Sequence, residues 1–105
     1  MPENPVCLCV LLWAKQGKKS ALTAYEDQVL GLLAEHGGRV LQRGSVVADG
    51  TGDGARPAQP AEVQFLEFPA EAALAAYMND SRRLALAADR DAAIARTDVL
   101  RVDRR

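Results

Sequence analysis

The chain contains a single histidine, in the stretch AEHGGRVLQRG at residues 34–44. An imidazole titrates near neutral pH, so His36 could act as a general base. Arg39 and Arg43 follow, and two arginines on one strand could bind a carboxylate or an enolate. The non-catalytic alternatives are a histidine that satisfies carbonyl groups at a helix end and arginines that keep a strand edge charged.

Three aromatic side chains are candidates for lining a ligand pocket. Trp13, Tyr25 and Tyr77 each combine a large apolar body with one hydrogen-bond donor. They could equally fill an ordinary core. We predict His36 as the catalytic residue of any enzyme activity, and we predict that Trp13, Tyr25, Arg43 and Tyr77 bind the substrate.

The cysteines predict no metal site, and we expect no cofactor. Cys7 and Cys9 are the only two in the chain. On an extended strand both thiols point to the same face, with a spacing that suits neither an unstrained disulfide nor a zinc site. We interpret them as small buried apolar residues.

Length and composition are typical of one soluble globular domain, residues 1–105. The chain has 105 residues, is 49% hydrophobic and 26% charged, and carries a net charge of -1. This balance gives no electrostatic reason to expect nucleic acid or an anionic membrane as a partner. The longest apolar run is far shorter than the ~20 residues that cross a bilayer, and no basic segment precedes it as in a signal peptide. We expect a cytoplasmic protein.

Two segments are marked by their apolar pattern. Val6–Ala14 is apolar without alternation, which predicts a strand buried on both faces. From Ser20 to His36 apolar residues recur every three or four positions, which predicts a helix with Glu26 turned away from the core. Gly37 and Gly38 then end the helix.

The remaining elements are predicted from the positions of glycine, proline, asparagine and aspartate residues and from the pattern of apolar residues. In order they are a strand Arg39–Ala48, a glycine-rich hairpin loop Asp49–Pro60, a strand Glu62–Phe68, helices from Ala70 to about Ala95 broken near Asn79–Ser81, and a strand Thr97–Asp103. The loop lacks the lysine of a phosphate-binding loop and the final glutamate of a calcium loop. Alternation along the second strand places Arg39, Leu41 and Arg43 on one face.

Charged residues alternate in sign near the C-terminus. Such a pattern predicts a solvent-exposed face with salt bridges. Its members are Arg82, Arg83, Arg90 and Arg96 with Asp80, Asp89, Asp91 and Asp98.

The order of elements predicts the fold. The series β-α-β-β-α-β is that of a ferredoxin-like α+β domain, and right-handed crossovers give a four-stranded antiparallel sheet of order 4-1-3-2. Helices then cover one face of the apolar first strand. We predict that a second copy of the chain covers the other face in a homodimer.

The sequences YEDQVLGLLAEHGGRVLQRG, PAEVQFLEFPAEAALAAYMND and RDAAIARTDVLRV resemble a branch of unknown function in the dimeric α/β barrel superfamily, related to antibiotic-biosynthesis monooxygenases. The resemblance spans Val6 to Val102. It rests on a tyrosine in the first helix, His-Gly-Gly-Arg at its end, Phe-Pro after the third strand and Tyr-Met in the second helical region.

The resemblance implies two facing sheets that form a dimeric α/β barrel. Members of the superfamily include cofactor-independent monooxygenases, haem proteins, isomerases and cyclases, so the fold alone selects no chemistry. The function it implies is binding of a small apolar or aromatic metabolite, with cofactor-independent oxygenation, cyclisation or isomerisation if the protein is an enzyme. The alternative is a non-catalytic homodimeric binding or scaffold module.

Overall fold

The structure is a computed structural model, which describes residues 4–47 and 59–103. In chain order its elements are β1 (Val6–Ala14), α1 (Lys19–Leu30), a 3₁₀ helix (Leu33–His36), β2 (Arg39–Ser45), β3 (Glu62–Phe68), α2 (Glu71–Met78), α3 (Ser81–Leu84), α4 (Ala87–Ala93) and β4 (Ile94–Val102). Most of the predicted hairpin loop lies outside the described residues. Within the two ranges, no helix is long and apolar enough to cross a membrane.

One antiparallel sheet organises the molecule. β1 lies at its centre between β3 and β4, and β2 pairs with the outer side of β3. The resulting order is β2-β3-β1-β4, which is the predicted 4-1-3-2 order read from the other edge. The predicted topology is therefore confirmed.

The main core lies between one face of this sheet and the helices. Leu22 and Val29 of α1 and Leu33 of the 3₁₀ helix are 0 to 2% exposed, and they belong to the same apolar cluster as Leu12 and Phe68 of the sheet. Full burial of one such side chain contributes about 1.5–3 kcal/mol. This packing fixes the helices over the sheet.

The two glycines after His36 have different roles. Gly37 ends the 3₁₀ helix in the left-handed conformation, with φ 74°. At Gly38 a Cβ atom would lie 3.0 Å from a ring carbon of Phe68, so the second glycine lets the chain approach the core closely. The stop at residue 37 is as predicted, although the preceding helix is already interrupted after Leu30.

The second helical region is divided into three short helices. The predicted break at Asn79 and Asp80 is present, because the Asp80 carboxylate accepts the backbone N–H of Arg82 at 2.8 Å and caps α3. A second break follows at Ala85 and Leu86. β4 begins three positions earlier than the predicted Thr97, since Ile94 already pairs with β1.

The other face of the sheet has an apolar centre, and the helices of the described residues all pack on the opposite side. Cys9, Leu11 and Trp13 of β1 are half-buried there. On the neighbouring strands Phe65 is 38% exposed and Leu100 is 51% exposed. We call this surface the open face.

Candidate functional site

A cavity of about 420 Å³ lies between the sheet and the helices. Cavities that bind small molecules measure about 300–1,000 Å³ and are mainly apolar with a few polar groups. Most of its lining is aliphatic or aromatic. Its polar and aromatic lining residues are Tyr25, Glu26, Gln64, Phe68, Tyr77, Arg83, Arg90, Thr97 and Arg101.

Two of the predicted substrate-binding residues, Tyr25 and Tyr77, line this cavity together. Both are buried, at 3% and 4% exposed. The Tyr77 hydroxyl donates to the Val29 carbonyl at 3.1 Å. Burial raises the pKa of Tyr77 to about 12 and also raises the pKa of Tyr25, so both phenols keep their protons at neutral pH.

Glu26 also lines the cavity, and the prediction that it turns away from the core is wrong. It is 6% exposed, and its carboxylate accepts a hydrogen bond of 2.7 Å from the Gln64 amide. Burial raises the pKa of Glu26. Its position four residues after Leu22 was the signal, because residues i and i+4 share one side of a helix.

The predicted shared face of Arg39 and Arg43 is also wrong. The pairing of β2 with β3 shifts between Val40 and Gln42, so Arg39 pairs with Glu67 while Arg43 pairs with Gln64. Such a bulge inserts one residue and reverses the faces of those that follow. Arg43 therefore lies on the face of the sheet that packs against the helices, and Arg39 lies on the open face.

Arg43 is already occupied by protein groups. Its Nε donates to Glu62 at 2.7 Å and its Nη1 to Asp27 at 2.6 Å. The hydrogen bond to Glu62 raises the pKa of Arg43. Since Gln64 also donates to Glu62, at 2.7 Å, Arg43 ends a buried polar chain that begins at Glu26. It does not itself line the cavity.

His36 lies at the end of the 3₁₀ helix and outside the cavity lining. Its Nε2 is 2.8 Å from the Asp80 carboxylate, and its ring packs edge-on against Tyr77, with centroids 6.1 Å apart. Hydrogen bonds from Arg82 and His36 hold the pKa of Asp80 well below its usual range. Asp80 is thus the side chain that orients the His36 ring.

Trp13 lies on the open face, away from the cavity. The Arg96 guanidinium stacks over its ring at 4.6 Å, and Arg96 also pairs with Asp98 at 2.8 Å. The structure therefore separates Trp13 from Tyr25 and Tyr77, which it brings together.

The prediction that Arg83 belongs to the solvent-exposed charged face is wrong. The neighbouring Arg82 does form surface ion pairs, with Asp80 and Glu35. Arg83 instead lines the cavity with its guanidinium 5.2 Å from the centre of the Tyr77 ring. Sequence alternation of charge could not distinguish the two, because they are adjacent residues of the same short helix.

Metal-ligating residues are dispersed in the part of the chain that the structure describes. No group of three or more histidine, cysteine, aspartate or glutamate side chains there could hold an ion. Cys7 and Cys9 are free thiols.

Several solved structures share this architecture. A protein of unknown function from Rhodopseudomonas palustris superposes with a TM-score of 0.75, covering 95% of this chain and 82% of that one at 19% identity. A dimeric protein of unknown function from Bacteroides fragilis, with a ferredoxin-like fold, gives 0.68 over 99% and 100% at 10% identity. This chain has the ferredoxin-like fold. The resemblance noted in its sequence is therefore confirmed for the fold.

A third neighbour has a stated activity. SnoaB from Streptomyces nogalater, a cofactor-independent oxygenase, superposes with a TM-score of 0.66 over 97% of this chain and 96% of its own at 10% identity. At such identity the likeness establishes the ferredoxin-like fold and leaves the chemistry to the residues of the site. No protein-family model and no curated protein sequence matches the chain.

Proposed function

We propose that this protein binds a small, largely apolar or aromatic molecule in the cavity between sheet and helices. The observation that supports the proposal is the 420 Å³ space beside Tyr25 and Tyr77. The aromatic rings offer stacking surfaces, and the hydroxyl groups offer polar contacts. Of the predicted substrate-binding residues, we keep these two for direct contact and give Arg43 the positioning of the neighbouring carboxylates.

The proposed chemistry is a cofactor-independent oxygenation, cyclisation or isomerisation. The fold is shared with a cofactor-independent oxygenase, and such reactions need a group that accepts a proton from the substrate. Glu26 lies at the cavity wall. His36, held by Asp80 outside the cavity lining, stays the second candidate base.

The second candidate function is a binding module without catalysis. It is favoured by the hydrogen bonds that the polar groups already make: the Gln64 amide N–H groups and the Arg43 guanidinium donate to neighbouring carboxylates. Incubation of the protein with a bound aromatic compound under air, followed by liquid chromatography and mass spectrometry, separates the two functions, because chromatography also resolves isomers of equal mass. A product that forms only in the presence of the folded protein supports catalysis.

A cavity-filling variant tests the binding itself. Val99 lies at the cavity lining and is 53% exposed, so Val99→Trp should fill the mouth and abolish binding of naphthalene-type compounds in NMR titrations. Leu84 is also 53% exposed but lies outside the cavity lining, and Leu84→Trp is the matched control. Equal binding by both variants would refute the cavity as the binding site.

We also propose that two copies associate through the open face. Its apolar residues would be buried by a second sheet, and the Bacteroides fragilis neighbour with the same fold is dimeric. Leu100 on the open face is 51% exposed and Leu84 on α3 is 53% exposed. In sedimentation experiments, Leu100→Glu should give monomers where the wild-type protein and Leu84→Glu give dimers. A monomeric wild-type protein at micromolar concentration would refute the dimer.

A further inference from the structure

Arg83 places a positive charge at the wall of a mainly apolar cavity. Its guanidinium carbon is 5.2 Å from the centre of the Tyr77 ring, which gives a cation–π contact. Its Nη1 donates to the Met78 carbonyl at the long distance of 3.4 Å. Its Nε is buried and finds no acceptor among the described residues. The partners of this guanidinium among the described residues are thus the Met78 carbonyl and the Tyr77 side chain, which also hydrogen-bonds Arg83, and neither carries a negative charge.

Other arginines near the cavity and helices have carboxylate partners. Arg82 pairs with Asp80 at 2.7 Å, and Arg101, which also lines the cavity, pairs with Glu71. No carboxylate of the described ranges forms an ion pair with Arg83. A buried or half-buried guanidinium normally has such a partner, because the unpaired charge is costly.

The other charged residues that line the cavity also leave it with more positive than negative side chains. Arg90 also lines it, and its contact with Asp91 is a long 3.3 Å between exposed side chains. Glu26 is the one carboxylate among the described lining residues, against the three arginines Arg83, Arg90 and Arg101. The cavity is thus a positive, largely apolar site in a chain whose net charge is -1.

We infer that the cavity takes a small, mainly apolar carboxylate, whose ring contacts Tyr25 and Tyr77 and whose carboxylate pairs with the Arg83 guanidinium. A guanidinium offers a planar fork of donors that matches a carboxylate. This inference rests on the proposed function, since it specifies the class of molecule that the same cavity binds. Arg83 is assigned as the residue that selects a negative charge.

Two ligands of equal ring size separate charge recognition from apolar binding. We would titrate the whole protein at neutral pH with naphthalene-2-carboxylate and with the neutral naphthalene-2-methanol, by calorimetry. The wild-type protein should prefer the carboxylate. Arg83→Gln should weaken carboxylate binding by about tenfold or more and change alcohol binding by less than about twofold.

Two further variants control this experiment. Arg83→Lys keeps the positive charge and should retain part of the preference. Arg82→Gln changes the adjacent arginine of α3, which lies outside the cavity lining, and should leave both affinities unchanged. Because Arg83→Gln could fail to fold, the wild-type protein supplies an independent readout: its preference for the carboxylate should shrink as salt rises.

The outcomes distinguish the inference from the proposed function. Equal binding of both ligands to wild-type and Arg83→Gln proteins would overturn the charge selection and leave the apolar cavity in place. Equal loss of both ligands in a folded Arg83→Gln protein would make Arg83 a structural residue, which also overturns the inference. Failure of both ligands to bind the wild-type protein would overturn the inference and the proposed function together, whereas binding of the alcohol alone would overturn only the inference.

Discussion

Replacement of Arg43 by glutamine should destabilise the protein strongly. The Arg43 side chain is 26% exposed and the Glu62 carboxylate that it binds is only 4% exposed. Without Arg43 this carboxylate stays buried with the Gln64 amide, 2.7 Å away, as its remaining donor. Removing one partner of a buried ion pair costs about 3–5 kcal/mol of unfolding free energy. Because the Gln64 amide still donates to Glu62, we expect a loss of about 3 kcal/mol.

The assay is urea unfolding followed by circular dichroism, at one protein concentration for all variants. A loss near 3 kcal/mol corresponds to a fall in melting temperature of about 12 °C, taking about 4 °C per kcal/mol for a domain of this size. Arg39→Gln is the matched control. Arg39 also lies on β2 and pairs with a glutamate of β3, but it is 65% exposed, so its loss should stay below about 1 kcal/mol.

A double variant separates lost pairing from lost packing. Arg43→Gln combined with Glu62→Gln removes both charges, so it should recover most of the stability lost in Arg43→Gln alone. If Arg43→Gln is no more damaging than Arg39→Gln, the claim that the bulge in β2 buries Arg43 in a network is refuted. If the double variant recovers none of the lost unfolding free energy, the destabilisation of Arg43→Gln does not come from an unpaired Glu62.

Two other predictions concern the cavity and its surroundings. Burial raises the pKa of Glu26, so the folded state binds this proton more tightly than the unfolded chain. Relative to Glu26→Gln, the wild-type protein should therefore lose stability as pH rises from about 4 through the raised folded pKa, and parallel stability curves would contradict this. His36→Ala removes the hydrogen bond to Asp80 and should lower the melting temperature less than Arg43→Gln does, with ligand affinity unchanged; lost affinity would instead place His36 at the ligand.

The topology could be predicted because it depends on patterns that extend over many residues. Val6–Ala14 is apolar throughout, and its bounds and central position are as predicted. Glu62–Phe68 is likewise a strand with the predicted bounds. Burial and right-handed crossover rules constrain whole elements, so small local deviations do not change the result.

The site could be predicted less well because single-residue shifts decide it. One bulge near Leu41 sends Arg39 and Arg43 to opposite faces, and no local sequence signal marks it. Tyr25 and Tyr77 line one cavity, and their contact with a substrate stays a prediction. Trp13 lies apart from them on the open face, and a strand that is apolar on both faces does not indicate which face a given residue occupies.

Charged residues were the hardest to place, because their residue type predicted exposure. Glu26 and Arg83 both lie at the cavity wall, although charged residues are normally exposed. Each is held there by a specific neighbour: Gln64 donates to Glu26, and the Tyr77 ring lies beside the Arg83 guanidinium. Such contacts arise only once strands and helices are assembled, so sequence spacing does not contain them.

The burial of Glu26 bears on the choice between an enzyme and a binding module. Storage of an apolar molecule requires only apolar walls, and a leucine at this position would avoid the desolvation of a carboxylate. Gln64, which holds Glu26, is itself only 1% exposed and also contacts Glu62. A buried acid with a raised pKa beside a cavity is an arrangement suited to proton transfer. The position of Glu26 supports the proposed catalysis, and within that proposal Glu26 rather than His36 is the group placed to exchange a proton with the ligand.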